Sequence, residues 1–120
     1  MVRTADEESL PSRFEAVAEG DVIRVGALRF EVIETPGHTV GGLCFYERAC
    51  GVLFAGDTLF CGSCGRTDFP GGDYKAMLLS LARLARLEGS YTVYPGHDRA
   101  TDLERERRMN PYMRQGLTLA

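Results

Sequence analysis

Alternating apolar and polar positions predict strands along the first half of the chain. Leu28, Phe30 and Val32 are separated by Arg29 and Glu31, and this period of two is typical of a half-buried strand. Short apolar runs that are bounded by glycine and other turn residues predict the remaining strands. The predicted strands occupy residues 21–26, 28–33, 43–46, 51–55 and 91–94.

A helical period replaces this alternation in the second half. Over residues 74–87, apolar side chains recur at the spacing of one helix face. They are Met77, Leu78, Leu81, Leu84, Ala85 and Leu87. Asp73 is a suitable N-cap for this helix, and Gly89 is the candidate residue for its C-terminal cap.

A second helix is predicted over residues 103–109. Thr101-Asp102 provides its start, and Asn110-Pro111 is expected to end it, because the residue before a proline is disfavoured in helical conformation. The order of elements is then several strands, a helix, a strand and a helix. This order predicts an α/β fold in which a sheet packs against helices.

Two segments lack a strand or helix period. Residues 1–20 are polar and are predicted to form a lead-in with a turn of helix, so that the folded domain begins at residue 21. Residues 60–72 are rich in glycine and other small residues, and they are predicted to form a long loop. Loops of that length in a compact domain are often functional.

Three predicted strands end in a glycine that is followed by a potential metal ligand. His38 and His97 each follow a Pro-Gly pair, and Asp57 follows Gly56. Pro and Gly end a strand and force a turn, so these side chains are expected at the rim of the sheet, where ligands are usually held. At any single position an ordinary turn residue is the simpler interpretation. The two histidines of the chain both occupy this context, however, and three matched contexts together favour a site.

Imidazole and carboxylate are the ligand types that bind zinc, iron(II) or manganese. A carboxylate can also bridge two divalent ions, since each of its oxygens can serve one metal. The candidate metal ligands are therefore His38, Asp57 and His97. Such a two-metal site can polarise a carbonyl group and make hydroxide from water near neutral pH.

Composition and charge narrow the function classes. The chain has 120 residues, 44% of them hydrophobic and 26% charged, which suits one globular domain. A net charge of −3 gives no reason to expect nucleic acid or an anionic membrane as a partner. Arginines cluster over residues 99–108, but Glu104 and Glu106 interrupt them, which predicts a solvated helix face. There is no run of ~18–20 apolar residues and no signal-like N-terminus, so a cytoplasmic location is expected.

The four cysteines are expected to be free thiols rather than a disulfide framework. Cys61 and Cys64 form a Cys-x-x-Cys pair, which can bind zinc or cycle as a disulfide. This pair lies in the glycine-rich loop, without a second cysteine pair at zinc-ribbon spacing and without a thioredoxin-like strand-helix context. Ordinary loop thiols are the favoured interpretation, with a metal or redox role as the alternative.

Several segments in order resemble the metallo-β-lactamase superfamily, and within it the glyoxalase II-like hydrolases. The resemblance extends over about residues 20–111, and as a set these motifs are highly specific. They are Thr35-Pro36-Gly37-His38-Thr39, Phe54-Ala55-Gly56-Asp57-Thr58-Leu59-Phe60, Gly65-Arg66-Thr67-Asp68-Phe69-Pro70-Gly71-Gly72-Asp73, Tyr94-Pro95-Gly96-His97-Asp98, Glu104-Arg105 and Asn110-Pro111.

The resemblance implies roles for individual residues. His38 corresponds to the third histidine of the first metal site, Asp57 to the bridging aspartate, and His97 to the histidine of the second metal site. The implied cofactor is zinc, as one or two divalent ions, with iron or manganese as alternatives. The implied reaction is hydrolysis of a small acyl thioester by metal-held hydroxide. The resemblance also places three residues at the rim of the pocket, namely Thr58, Arg66 and Asp68.

The chain departs from the family in one important respect. The His-x-His-x-Asp-His motif, which precedes the Pro-Gly-His loop in family members and contains the general-base aspartate, has no counterpart here. Of the seven protein ligands that the family uses, three are present. The expected fold is the C-terminal half of an αββα sandwich, a mixed sheet with flanking helices, so that residues 21–120 form a partial domain. Alone, this half is expected to have little hydrolase activity and to expose an apolar face.

Two other functions remain open from the sequence. A mono-iron persulfide dioxygenase of the same superfamily also carries a Gly-Arg-Thr-Asp-Phe run, although Pro70-Gly71-Gly72-Asp73 favours the hydrolase. A non-enzymatic module is the third possibility, in which the exposed face pairs with itself or with another chain. The expected macromolecular partner is accordingly a complementary N-terminal half or a second copy.

Overall fold

The computed structural model describes residues 4–5, 18–68, 70–97 and 99–120, and within them nine strands and three helices. In chain order these are β1 (Thr4–Ala5), β2 (Val22–Val25), β3 (Leu28–Glu34), β4 (Leu43–Glu47), β5 (Val52–Gly56), β6 (Leu59–Phe60), β7 (Ser63–Cys64), α1 (Tyr74–Ala85), β8 (Thr92–Pro95), β9 (Thr101–Asp102), α2 (Leu103–Met109) and α3 (Pro111–Leu119).

Most of these strands form one mixed sheet with the order β1-β2-β3-β4-β5-β8-β9. Strands β2 to β5 form an antiparallel meander, whereas β5 and β8 are parallel and are connected through α1. Because β3 and β5 are both antiparallel to β4, they run in the same direction as each other and as β8. The C-terminal ends of all three strands therefore lie at one edge of the sheet, which confirms the predicted α/β architecture and its mixed sheet.

One face of the sheet is covered by helices. The main core lies between the strands and α1, α2 and α3, and side chains that are fully excluded from solvent fill it: Leu53, Leu59, Met77, Leu81, Leu84, Val93, Leu103 and Met113. Each such side chain contributes ~1.5–3 kcal/mol by its transfer out of water. Helix α3 lies directly on α1, since a Cβ built at Gly116 would be 2.0 Å from the Leu78 carbonyl oxygen. Glycine at this position is what allows the two helices to approach so closely.

The other face of the sheet carries a row of aromatic side chains, which we call the aromatic face and define as Phe30, Phe45, Phe54 and Tyr94. The strand register places Phe45 beside Phe54 and Phe54 beside Tyr94. The Phe54 ring lies 5.3 Å from the ring of Phe30 and 5.7 Å from that of Tyr94. Phe54 is 42% exposed and Tyr94 44% exposed. Phe30 is only 7% exposed, so the exposed part of the aromatic face is the neighbouring pair Phe54 and Tyr94. Adjacent exposed aromatic side chains are typical of a surface that packs against another element.

The predicted strands and the start of the first helix are confirmed. Asp73 is the N-cap of α1, and its carboxylate accepts the Ala76 N–H. The helix ends earlier than predicted, however, because Arg86 rather than Gly89 is its C-cap. The predicted helix over residues 103–109 is also confirmed, although Thr101 and Asp102 before it form the short strand β9.

Three features of the fold differ from the prediction. The segment predicted as a loop over residues 60–72 contains β7 and the second residue of β6, which pair as a small hairpin. Asn110-Pro111 ends α2 as predicted, but it also begins a third helix, in which Asn110 caps the Tyr112 and Met113 N–H groups. Thr4–Ala5 form a strand parallel to β2, while the turn of helix expected in the lead-in falls on residues outside the described ones. None of the helices formed by the described residues is long and apolar enough to cross a bilayer.

Candidate metal centre

The three candidate metal ligands come together at the edge of the sheet where β3, β5 and β8 end. Asp57 lies between the two histidines, and each of its carboxylate oxygens faces one of them. The Oδ2 atom is 3.6 Å from His38 Nε2, and the Oδ1 atom is 3.3 Å from His97 Nε2. The sequence expectation that separate strand ends bring these side chains together is therefore met by the geometry.

The orientation of His38 is set by a backbone carbonyl. Its Nδ1 lies 2.8 Å from the Arg66 carbonyl oxygen, and because a carbonyl can only accept, Nδ1 is the protonated nitrogen in this contact. In the neutral ring Nε2 then carries a lone pair, which points toward Asp57. Histidines that bind metals are usually held in this way, with the second ring nitrogen donating to a carbonyl or carboxylate.

The donor atoms fit the spacing of a metal-binding site. Ligand atoms at ~2.0–2.1 Å from a tetrahedral ion are separated by about 3.4 Å, and the two N···O distances of 3.6 and 3.3 Å lie on either side of that value. A lone pair on His38 Nε2 that faces a carboxylate oxygen also calls for a cation or a proton between them. His38 and Asp57 can thus hold one ion, and His97 and Asp57 a second one.

Each of these positions has two protein ligands from the described part of the chain. No group of three or more His, Cys, Asp or Glu side chains that could hold one ion occurs among the described residues. Closed structural metal sites have four protein ligands, and catalytic sites usually have three. The arrangement therefore has the geometry expected for one side of a two-metal centre, in which Asp57 would be the shared ligand.

The loop that carries His38 is fastened to helix α1. The Asp73 N–H donates to the Gly37 carbonyl at 2.7 Å, and the Ser80 hydroxyl donates to the Pro36 carbonyl at 2.6 Å. Gly37 has φ of +145°, and a Cβ at this position would lie 2.5 Å from the Met77 Cα. Only glycine combines this backbone conformation with so close an approach to the helix. The Pro36-Gly37 pair thus fixes the position of the backbone that carries the His38 imidazole.

A buried hydrogen-bond network lies beneath the site. The Thr58 hydroxyl is 3.0 Å from the Thr35 hydroxyl, which in turn is 3.3 Å from the Cys44 thiol. Burial raises the pKa of Cys44 to about 11, although hydrogen bonds from Thr35 and Thr58 act in the opposite direction. Thr58 was predicted at the rim of the pocket; it is only 3% exposed, and it is one of the residues that line the cavity at Asp57. The hydrogen bonds among Thr58, Thr35 and Cys44 therefore support the loop that follows β5.

The other two predicted rim residues are exposed and form an ion pair. Arg66 Nε donates to Asp68 Oδ1 at 3.0 Å, and Arg66 Nη2 donates to Asp68 Oδ2 at 3.2 Å. The Arg66 guanidinium lowers the pKa of the Asp68 carboxyl. What connects Arg66 to the candidate metal centre is its backbone carbonyl, which receives the His38 N–H. No property of the arginine side chain in the sequence indicates that role.

The hairpin β6–β7 places its two cysteines in different surroundings. Cys64 is half-buried, and burial raises its pKa. Cys61 lies in the turn, where Arg105 Nη1 donates to its sulfur at 2.8 Å. Hydrogen bonds from Arg99 and Arg105 lower the pKa of Cys61. Both thiols are free in this structure, and their pKa values are shifted in opposite directions.

Cys61 is expected to be the fastest of the four cysteines to react with iodoacetamide at pH 7. A lowered pKa increases the thiolate fraction at that pH, whereas the raised pKa of Cys44, about 11, leaves that buried thiol protonated and unreactive until the protein unfolds. The rates can be followed by peptide mass spectrometry between pH 6 and 9. Arg105→Gln is expected to slow Cys61 but not the exposed Cys50. Equal rates for Cys61 and Cys50 in the unaltered protein would contradict this prediction.

One charged residue was assigned wrongly from the sequence. The run of arginines and glutamates over residues 99–108 was expected to form a solvated face, and Glu104 and Arg108 are indeed exposed. Glu106, however, is only 1% exposed, and its carboxylate lies within the protein beside the hairpin β6–β7. The sequence did contain one indication of this difference, because Glu106 is two residues from Glu104 and therefore lies on another face of the helix.

Comparisons with known proteins agree with this geometry. The profile of the Metallo-beta-lactamase superfamily matches residues 6–97. Hydroxyacylglutathione hydrolase GloC from Haemophilus influenzae is 38% identical over 96 residues, which are 79% of this chain and 45% of that protein. The crystal structure of TTHA1623 in a di-iron-bound form has a TM-score of 0.72 and 43% identity, covering 86% of this chain and 49% of that one. ETHE1 from Myxococcus xanthus has a TM-score of 0.70 and 35% identity, covering 86% and 51%.

These figures also define the extent of the similarity. The chain spans about half the length of the curated relatives it matches, 46% of one from Aquifex aeolicus and 45% of the Haemophilus influenzae protein. The match to the family profile, over residues 6–97, includes the three candidate ligands.

Proposed function

Because the chain belongs to the metallo-beta-lactamase superfamily, we propose that it supplies one lobe of a metal-dependent hydrolase that acts on a small thioester of the hydroxyacylglutathione type. The observation that carries this proposal is the placement of the Asp57 carboxylate between two imidazoles, with one oxygen toward each. A relative that shares most of this chain bears the name hydroxyacylglutathione hydrolase, and this name supports the choice of substrate class.

The residues of the site have separate tasks in this proposal. His38 and His97 would each supply one nitrogen, and Asp57 would supply one carboxylate oxygen toward each of them. The Arg66 carbonyl keeps the His38 proton on Nδ1, so that Nε2 remains available as a ligand. The chemistry that a bound pair of divalent cations supplies is polarisation of the acyl carbonyl and acidification of water. We propose zinc as the metal, although iron and manganese accept the same donor set.

The remaining ligands and the general base are proposed to come from a complementary lobe that packs on the aromatic face. A cavity of about 350 Å³ lies beside Asp57, and Leu43, Phe45 and Phe54 form its apolar wall. This cavity connects the candidate metal centre with the aromatic face, where Phe54 and Tyr94 are 42% and 44% exposed. A lobe that covers these rings would bury apolar surface and face the two metal positions in the same step.

A mono-iron persulfide dioxygenase is the second candidate function. The Gly65-Arg66-Thr67-Asp68 run and the likeness to ETHE1 from Myxococcus xanthus are compatible with it. A single iron site, however, gives His97 no comparable task. His97 is as close to Asp57 as His38 is, which favours a two-metal site and therefore the hydrolase.

The proposal is tested by supplying the complementary lobe from a relative. The N-terminal half of the Haemophilus influenzae relative is joined to this chain, and the purified chimera is assayed for thioester hydrolysis with a hydroxyacylglutathione and for metal content. We expect hydrolysis that is lost on chelation and restored by zinc, two metal ions per chimera, and little activity from the chain alone. The chimera with Asp57→Asn serves as the inactive control, and the one with Glu104→Gln, an exposed carboxylate on α2, as the active control.

Three results would overturn the proposal. A folded and metal-loaded chimera that leaves the thioester intact would exclude the hydrolase. Oxygen uptake with a persulfide in the presence of iron would assign the dioxygenase instead. Concentration-dependent dimerisation of the chain without metal, together with failure of the chimera to bind any, would favour a non-enzymatic module that pairs through the aromatic face.

A further inference from the structure

Glu106 is a buried carboxylate that joins several segments around the candidate metal centre. It lies on α2 and is 1% exposed. Its Oε1 atom accepts the Gly62 N–H at 3.0 Å and the Asn110 side-chain amide at 2.8 Å. Its Oε2 atom accepts the Thr101 hydroxyl at 2.8 Å and an Arg105 N–H at 3.4 Å. A carboxylate placed in so dry a position is stable only because these donors satisfy it.

Asn110 extends the same network. Its Nδ2 atom donates to the Ser63 carbonyl at 3.1 Å and to the Phe60 carbonyl at 3.5 Å, while its Oδ1 atom caps α3. Glu106 and Asn110 together therefore hold the hairpin β6–β7 at three backbone positions. This hairpin is the segment that immediately follows Asp57 in the chain.

The network also reaches the loop that carries His97. That loop connects β8 to β9, and Thr101 is the first residue of β9. The Thr101 hydroxyl donates to Glu106, and Arg105 Nη1 spans from Thr101 to the Cys61 thiol at 3.5 and 2.8 Å. Arg105 and Glu106, neighbours on α2, thus form hydrogen bonds both to the hairpin that follows Asp57 and to Thr101, where the loop that carries His97 ends.

Burial does not hold His97 in place. The His97 side chain is 78% exposed, whereas that of His38 is 25% exposed and donates to the Arg66 carbonyl. The ring of Phe60 lies 6.3 Å from the ring of His97. Phe60 belongs to the hairpin that Asn110 and Glu106 hold, so the position of its ring is set by the same network.

We propose that Glu106 is a positioning residue for His97, acting through the hairpin β6–β7 and Thr101, and that it has little influence on His38. The inference rests on the proposed metal site in one respect, which is that His97 is a ligand. Removal of a group that hydrogen-bonds directly to a metal ligand typically lowers metal affinity 10–100-fold, and for Glu106, which acts on His97 through the hairpin and Thr101, we expect the lower end of that range. A role in folding alone would instead lower stability and leave the relative affinities of the two histidines unchanged.

The test uses the two histidine rings, which give separate NMR signals because the chain has only two histidines. Glu106→Gln is compared with Glu104→Gln, which removes a carboxylate from an exposed position of the same helix. Zinc is titrated, and the apparent affinity is read from each ring. We expect Glu106→Gln to weaken zinc binding at His97 about tenfold and at His38 less than twofold, whereas Glu104→Gln changes neither.

A second readout is independent of the metal. In the metal-free protein, the nuclear Overhauser contact between the Phe60 and His97 rings is expected to weaken in Glu106→Gln, and the Gly62 amide proton is expected to exchange faster. Thr101→Val, which removes one donor and keeps the shape of the side chain, serves as a milder variant if Glu106→Gln does not fold.

The outcomes separate the two proposals. If zinc perturbs neither ring in the unaltered protein, the metal site fails, and the Phe60–His97 contact alone then decides whether Glu106 positions His97. The inference is overturned if stability falls while the ring contact and the ratio of the two zinc affinities stay the same in Glu106→Gln, or in Thr101→Val where the first variant does not fold.

Discussion

Asp57→Asn is expected to weaken metal binding at both positions of the centre at once. Each carboxylate oxygen of Asp57 faces one imidazole nitrogen, at 3.6 Å for His38 and 3.3 Å for His97. Asparagine keeps one oxygen but loses the negative charge and replaces the second oxygen with an NH₂ donor, which cannot bind a cation. Because the described residues provide two ligands for each ion, we expect a loss of affinity of about 100-fold or more at both positions.

The substitution is measured by titration of the purified chain with cobalt(II), whose absorption reports coordination, and by calorimetry with zinc. His38→Ala and His97→Ala are the informative comparisons, since each is expected to remove one position and leave part of the other. Glu104→Gln is the matched control for the loss of a carboxylate, because Glu104 pairs only with arginines on its own helix in the described structure. A result in which Asp57→Asn affects one position only would contradict the shared-ligand geometry.

The local pattern of the sequence was sufficient to predict the five longer strands, β2, β3, β4, β5 and β8, and the three candidate ligands. His38 and His97 follow Pro-Gly pairs, and Asp57 follows a glycine at the end of an apolar run. These signals are contained within a few residues, because the period of side chains and the conformational limits of proline and glycine act locally. That β3, β5 and β8 end at one edge follows from their relative directions, which the α/β order favours.

The third helix was missed because one signal has two structural meanings. Asn110-Pro111 was interpreted as the end of a helix, and α2 does end there. Proline is also favoured in the first turn of a helix, and asparagine is a good N-cap, so the same pair begins α3. Whether the chain continues as a helix is decided by packing, in this case by Met113 against the core and Gly116 against α1.

The support of the candidate metal centre could be predicted least well. The proton of His38 is received by a backbone carbonyl, and every residue has one. Glu106 has the same side chain as Glu104, yet one is buried and the other exposed. The spacing of the two residues shows that they lie on different faces of α2, but not which face is buried. That is decided by tertiary contacts with the turn at Gly62, 44 residues away from Glu106 in the chain.

Gly65→Ala is expected to have the largest effect of any single methyl group added near the site. A Cβ at Gly65 would lie 1.8 Å from the Asp57 carbonyl oxygen and 3.3 Å from the His38 Cβ. The first contact is with backbone and cannot be relieved by rotation of a side chain. The segment must therefore move, and the hydrogen bond from the Gly65 N–H to the Thr58 carbonyl at 3.2 Å is strained or lost.

We expect this substitution to lower the free energy of unfolding by about 3 kcal/mol and to displace Asp57 and His38 relative to each other. Urea denaturation measures the first effect, and cobalt titration measures the second as a weakened site at His38. Gly41→Ala is the control, since a Cβ there has no heavy atom within 4 Å, and it is expected to change stability by less than about 0.5 kcal/mol. A Gly65→Ala variant with unaltered stability and cobalt affinity would show that the close approach of Gly65 to the Asp57 carbonyl is not required for either property. The turn after β7 would then not determine the positions of Asp57 and His38.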